Sequence, residues 1–151
     1  MSQVVSVPKN RHARVYSSNR GFKVIAHISI GVKDVESSKR FYDQALQPLG
    51  YRCIRAARSG AGYGYGADII FFWVMAAERP VLPDDKSGLH VCFAAPSVGA
   101  VGDFHAAALN AGGRDNGAPG PRPIYGDDYY AAFVIDPDGY RIEAYFGPGE
   151  R

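Results

Sequence analysis

The sequence has little excess charge of either sign: 17 basic residues stand against 15 acidic ones in 151, a formal net charge of +2. So near a balance excludes the electrostatic footprint of a nucleic-acid binder or of a polybasic membrane-surface protein. Long apolar runs are also missing. The longest, Ile69 to Ala77, falls far short of the ~20 residues that a membrane helix needs. Cysteine is scarce. Cys53 and Cys92 are too few for a disulfide framework and lack the C-x-x-C spacing of a zinc site, and their apolar neighbours predict buried free thiols. Residues 1–20 place Lys9, Arg11, Arg14 and Arg20 among Ser and Asn, without the apolar stretch of a secretory signal. A cytoplasmic location is the expectation.

What is present describes a folded domain. Hydrophobic residues make up 46% of the chain and aromatics 13%, and a chain this long buries about two-thirds of its unfolded surface. That suffices for a core without staples. The 18 glycines and 10 prolines predict many short strands and turns. Residues 1–20 have no sustained period and form an arm; residues 21–151 form one domain.

Along that domain Val24 to Val32 alternates as a strand, and Asp34 is a suitable N-cap for a helix from Val35 to about Leu46. The helix places Phe41, Tyr42, Ala45 and Leu46 on its apolar side, and Gly50 ends the unit. Strands are expected at Tyr51–Ala57, about Gly62–Tyr65 and Asp68–Met75. Glycines 60, 62, 64 and 66 suggest a phosphate loop, but the G-K-[ST] ending is missing and the tyrosines alternate as in a strand. After a linker at 78–87 the pattern repeats at an offset of 63 residues, which relates His27 to His90, Asp34 to Ser97, Phe41 to Phe104, Leu46 to Leu109 and Gly50 to Gly113. Such a repeat governs the fold. Each module, about 22–77 and 88–147, reads β-α-β-β-β; the second closes through Tyr129–Asp136 and Arg141–Phe146. The stretch from Gly112 to Asp128, rich in Gly and Pro, reads as a long loop and a possible lid.

One helix covers only one face of a sheet, and it must cover the aliphatic face. His27, His90 and Glu143 fall on the other, concave face of their strands. Taken singly, each is an ordinary polar strand residue. Two imidazoles at repeat-equivalent positions with a carboxylate on the same face instead make a divalent-metal set, with positions left for water or substrate. Tyr63, Tyr65, Trp73, Tyr125, Tyr129 and Tyr130 supply aromatic surface for a pocket. Of these, Trp73 and Tyr65, with Arg122, are candidate substrate contacts, and Tyr125, Tyr129 and Tyr130 are candidate proton donors or substrate contacts. His105, on the second helix, reads as a helix-surface or packing residue.

The segments from His27 to Tyr42, Gly88 to Phe93 and Tyr130 to Ala144, the last containing D-P-D-G-Y-R-I-E, resemble the vicinal oxygen chelate superfamily. That group contains glyoxalase I, bleomycin-resistance proteins, fosfomycin-resistance thiol transferases and extradiol dioxygenases. The resemblance implies an α+β fold of two β-α-β-β-β modules, their curled mixed sheets forming a cleft and their helices on the outer faces. It implies a divalent ion (Zn, Fe, Mn or Ni) on His27, His90 and Glu143, a small-molecule substrate chelated through vicinal oxygens, and a homodimer. The family's remaining ligand position falls on Ile70, which neither ligates a metal nor moves a proton, a departure from glyoxalase I. The alternative it implies is a metal-free protein that sequesters a hydrophobic compound, as bleomycin-resistance proteins do.

Overall fold

The computed structural model describes residues 25–66, 69–81 and 87–148; the arm at 1–20, with His12, and much of the linker lie outside the described residues. The first module runs β1 (Ile28–Val32), α1 (Val35–Ala45), a 3-10 turn (Gln47–Leu49), β2 (Arg52–Ala57), β3 (Gly60–Gly64) and β4 (Ile70–Ala76). The second runs β5 (His90–Ala94), α2 (Val98–Asn110), β6 (Arg114–Pro121), β7 (Tyr130–Ile135) and β8 (Arg141–Phe146). Each makes one four-stranded mixed sheet, in the orders β1-β4-β3-β2 and β5-β8-β7-β6. The repeat is thus structural, an α+β fold of two like modules with open sheets.

Both helices start where their caps direct. The Asp34 carboxylate accepts from the N–H groups of Glu36 and Ser37, and Ser97 Oγ accepts from Ala100 N; the two caps stand at the predicted offset. Phe41, Tyr42 and Ala45 of α1, and Ala100, Val101, Phe104 and Ala108 of α2, are buried, the three-and-four spacing of a core-facing stripe. After α1, Pro48 opens the 3-10 turn and Gly50 ends it at φ 83°, a left-handed conformation that glycine adopts without steric cost. The helices pack on each other. Ile30 and Val32 of β1, Phe72 and Val74 of β4, Val91 and Phe93 of β5, and Ile142 and Ala144 of β8 belong to a single core, joined across modules by the edge-on Phe72–Phe93 contact at 5.2 Å.

Three expectations need correction. The stretch read as a long loop contains β6, which pairs antiparallel with β7 through register shifts around Gly117. It is an edge strand, where the missing N–H of Pro119 and Pro121 and a bulging glycine are tolerated. His105 Nε2 lies 2.9 Å from Asp115 Oδ1 and ties α2 to the start of this strand, in keeping with a packing role. The first strand begins at Ile28 rather than Val24, and Ile25 to Ser29 are exposed. Cys92 is exposed, not buried, because it points from β5 to the face that no helix covers; Cys53 is half-buried.

A polar clasp joins the modules beneath their shared core. The turn Asp136-Pro137-Asp138-Gly139 precedes β8, and Asp136 is 3% exposed. Tyr42 on α1 donates its hydroxyl to Asp136 Oδ2 at 2.6 Å, while Asp136 Oδ1 accepts from the N–H groups of Asp138 and Tyr140. Asp138 accepts from Ser38 Oγ and Lys33 N, and the Tyr140 hydroxyl donates to Gly31 O. Burial pushes the Asp136 carboxyl up to about 6, against the opposing pull of its donors.

A group raised in the folded state contributes most stability below its unfolded value and loses that contribution as pH rises through its folded value. The stability of the wild-type protein relative to Asp136→Asn is therefore expected to fall from pH 4 to about pH 6.5. Urea denaturation across that range measures it; parallel curves for the two proteins would refute the assignment. Tyr42→Phe removes a donor to a buried acid and is expected to cost about 1–3 kcal/mol, by the same assay.

Candidate functional site

The strand alternation that sends Ile142 and Ala144 into the core turns Arg141, Glu143 and Tyr145 to the opposite face of β8. β5 runs parallel to β8 with His90 opposite Arg141 and Cys92 opposite Glu143. His90 and Glu143 meet here: His90 Nε2 is 3.3 Å from Glu143 Oε2. The carboxylate is only 2% exposed, and its second oxygen, Oε1, accepts the Tyr129 hydroxyl at 2.6 Å. Tyr129 is itself braced by Tyr145, ring centroids 4.1 Å apart, and by Tyr125 at 5.2 Å. Desolvation, then the bond to the Glu143 carboxylate, holds the Tyr129 phenol well above the usual tyrosine range. It stays a proton donor to Glu143. Partial desolvation and the same carboxylate push the Cys92 thiol up to about 12, so Cys92 stands by the pair as a neutral thiol.

A cavity of about 800 Å³ opens over this pair, its wall completed by Gly88, Asn116, Ile124, Tyr125, Tyr129, Phe133 and Arg141. The structure therefore assembles His90, Glu143, Tyr125 and Tyr129 in one place. Other expected site residues lie elsewhere. His27 lines a separate cavity of about 560 Å³ between the modules, with Ile25, Ile28, Tyr51, Tyr65, Phe72 and the Val91–Pro96 segment among its walls. No group of three or more metal-ligating side chains forms among the described residues. Tyr65 is exposed beside Tyr51. Tyr130 is half-buried and lines a third cavity with Asp127 and Asp128.

Arg122, just past β6, turns its guanidinium back on the end of that strand, donating to Ala118 O and Pro121 O and lying over the Phe133 ring. Trp73 pairs with Gly62 in the first sheet. A Cβ placed on Gly62 would come within 2.9 Å of Trp73 and 2.8 Å of Ile70, so both side chains share the face opposite the helix. The open face of the first module thus carries Trp73 and Ile70, beside Ser29 and Arg55, where that of the second carries His90, Arg141 and Glu143.

Arg141, Asn116, Ile124 and Phe133 belong to the cavity without having been singled out in the sequence. Arg141 shares strand parity with Glu143, a signal that was available. Asn116 lies on the edge strand hidden by its glycines and prolines.

The Tyr129–Glu143 bond is expected to carry about 1.5–3 kcal/mol of coupling, as for a bond to a charged acceptor. A double-mutant cycle of Tyr129→Phe and Glu143→Gln by chemical denaturation measures it, and additive effects would mean that the phenol does not hold the carboxylate.

Comparison with known proteins agrees with this architecture. The family model described as Glyoxalase/Bleomycin resistance protein/Dioxygenase superfamily matches residues 24–144. The uncharacterised protein YqjT of Bacillus subtilis is 31% identical over 130 residues, which span 78% of this chain and 94% of that protein. A glyoxalase/bleomycin resistance protein from Albidiferax ferrireducens superposes with a TM-score of 0.70 at 32% identity, over 83% of this chain and all of the other. A glyoxalase-related enzyme from Fulvimarina pelagi has the same fold, with a TM-score of 0.64 at 18% identity over 84% of this chain and 90% of its own. No helix among the described residues is long and apolar enough to cross a membrane. With its paired modules and a family match that runs from the first strand into the last, the chain belongs to the glyoxalase/bleomycin resistance protein/dioxygenase superfamily.

Proposed function

We propose that this protein is a divalent-metal-dependent enzyme acting on a small organic molecule bound through two vicinal oxygens. The convergence of His90 Nε2 and Glu143 Oε2 at 3.3 Å carries the proposal. Two donors that share one ion at ~2.0–2.2 Å are spaced roughly 3.0–3.5 Å apart, so the pair fits adjacent positions on one metal. The chemistry of the set suits Zn, Fe, Mn or Ni alike. Such an ion would act as a Lewis acid, stabilising an oxyanion that develops on the substrate.

The chain's own side chains have distinct parts in this scheme. His90 offers a ring nitrogen. Glu143 offers Oε2 while Tyr129 holds Oε1, fixing the carboxylate as an outer partner fixes a ligand. Tyr125, exposed at the cavity wall, is the candidate proton donor to substrate, and Ile124 and Phe133 add apolar surface to that wall. Ile70 supplies no base, so the second-carboxylate proton transfer of glyoxalase I is not proposed.

His27 belongs to the set as the third ligand, contributed by a second copy of the chain. Within one chain it lines a different cavity from His90 and Glu143. The uncovered faces of both sheets, with Ile28, Met75 and Leu89 exposed around them, favour a twofold homodimer. In it the face carrying Trp73 and Ile70 lies over the face of the other copy that carries His90 and Glu143. A metal-free, sequestering protein is the second reading, and the mostly apolar cavity beside His27 favours it.

Protein purified without chelator is expected to hold about one metal per chain by elemental analysis; its absence after reconstitution would favour sequestration. His27→Ala and Glu143→Ala homodimers are each expected to lose high-affinity metal. Refolding the two together should restore one intact site in each mixed dimer. Failure to recover metal in a verified mixed dimer would refute the shared site, and sedimentation as a monomer at micromolar concentration would refute the dimer.

A further inference from the structure

β5 alternates between the core, which takes Val91 and Phe93, and the uncovered face, which carries His90, Cys92 and Ala94. His90 lines the cavity over the polar pair, whereas Cys92 and Ala94 line the apolar cavity between the modules. One strand face thus leads from the first cavity into the second, over roughly 13 Å from His90 to Ala94. Cys92 marks the boundary, since it stands opposite Glu143 in the parallel register. The inter-module cavity, of about 560 Å³, is walled by Ile28, Leu49, Tyr51 and Phe72 from the first module and by Val91 and Phe93 from the second. Phe93 meets the rings of Tyr51 and Phe72 edge-on, at 5.4 and 5.2 Å, so the wall is fixed by its own packing. Its volume and apolar lining are those of a small-molecule site, and the small side chains of Cys92 and Ala94 leave the way into it open.

We propose that the inter-module cavity receives the apolar body of the same molecule whose oxygens sit at His90 and Glu143. The substrate is then amphiphilic: an oxygen-bearing head joined to an extended apolar group that runs along β5 over Cys92 and Ala94. The place of the head rests on the metal proposal, that of the body on the cavity alone. A compact head without the body is a poor ligand, because it leaves the walls around Phe72 and Phe93 in contact with water.

Three probes test this on the full-length protein. Acetohydroxamate and octanohydroxamate chelate a metal through the same two vicinal oxygens and differ by six methylenes; N-phenyl-1-naphthylamine is a neutral apolar dye that fluoresces out of water. The dye is expected to bind the metal-free protein. On the cobalt-loaded protein, octanohydroxamate should bind about a hundredfold tighter than acetohydroxamate, the gain from burying somewhat over half of the added methylenes at roughly fourfold each. It should displace the dye over the same concentrations at which it changes the cobalt absorption spectrum. Ala94→Trp and Ala26→Trp each put an indole into the cavity, from opposite modules, and should reduce both dye binding and the preference for the longer probe by about tenfold or more.

Equal affinities of the two hydroxamates would overturn the proposal, as would dye that stays bound when octanohydroxamate saturates the cobalt. A preference undiminished in either folded tryptophan variant would also overturn it; if one variant does not fold, the other decides. Dye binding that falls as the protein concentration rises would assign the cavity to a second copy of the chain and refute a substrate there. Absence of cobalt uptake would defeat the metal proposal alone, while displacement of the dye by octanohydroxamate, weakened in the tryptophan variants, would still uphold the apolar site.

Discussion

The buried carboxylate of Asp136 is the constraint from which the rest of the molecule follows. One oxygen holds the turn before β8 through two backbone N–H groups, and the other holds Tyr42 of the first module. The turn thereby delivers β8 in a single register, with Ile142 and Ala144 in the core and Glu143 outside it. A slip of one residue would reverse that set, burying Arg141 and Glu143 among aliphatic side chains and removing His90's partner. The same carboxylate decides where the second module sits on α1. Its burial raises the cost of the charged form, so the clasp orients the modules at some expense of stability at neutral pH.

The two modules share a topology and have parted in chemistry. Equivalent faces, left uncovered by one helix each, present Trp73 and Ile70 in the first sheet and His90, Arg141 and Glu143 in the second. A carboxylate as enclosed as Glu143 needs donors, and Tyr129 meets that need from a loop that also forms the cavity wall. Holding one oxygen leaves the other directed at His90. The aromatic surplus thus has local work here: Tyr125, Tyr129 and Tyr145 form a braced column beside the polar pair.

Much of this was legible in the chain itself. The caps at Asp34 and Ser97, the helical stripes of Phe41 and Phe104, and the parity of Glu143 against Ile142 and Ala144 are local patterns, and local patterns survive into the fold when burial reinforces them. Their recurrence at one offset revealed two like modules, and the residues quoted from both modules led to the family. β6 was not legible, because an edge strand tolerates the prolines and glycines that elsewhere signal a loop. The exposure of Cys92 was missed for a related reason: an apolar neighbourhood in sequence does not tell which face a helix will cover.

Sequence by itself determined the two helices, the repeat and the facing direction of His90 and Glu143 on their strands, since these depend on periodicity and capping within a few residues. Tertiary structure alone decided which of those residues meet. His90 and Glu143 come together because β5 and β8 are parallel neighbours in one sheet, while His27 lies by another cavity because α1 packs on α2 and both modules share one core. Arg141 entered the site for the same reason as Glu143, through a strand pairing between residues some fifty positions apart. Packing between distant segments has no local signature: it is set by the total apolar area that the modules bury together and by the few buried polar groups, Asp136 foremost, that must find partners in the process.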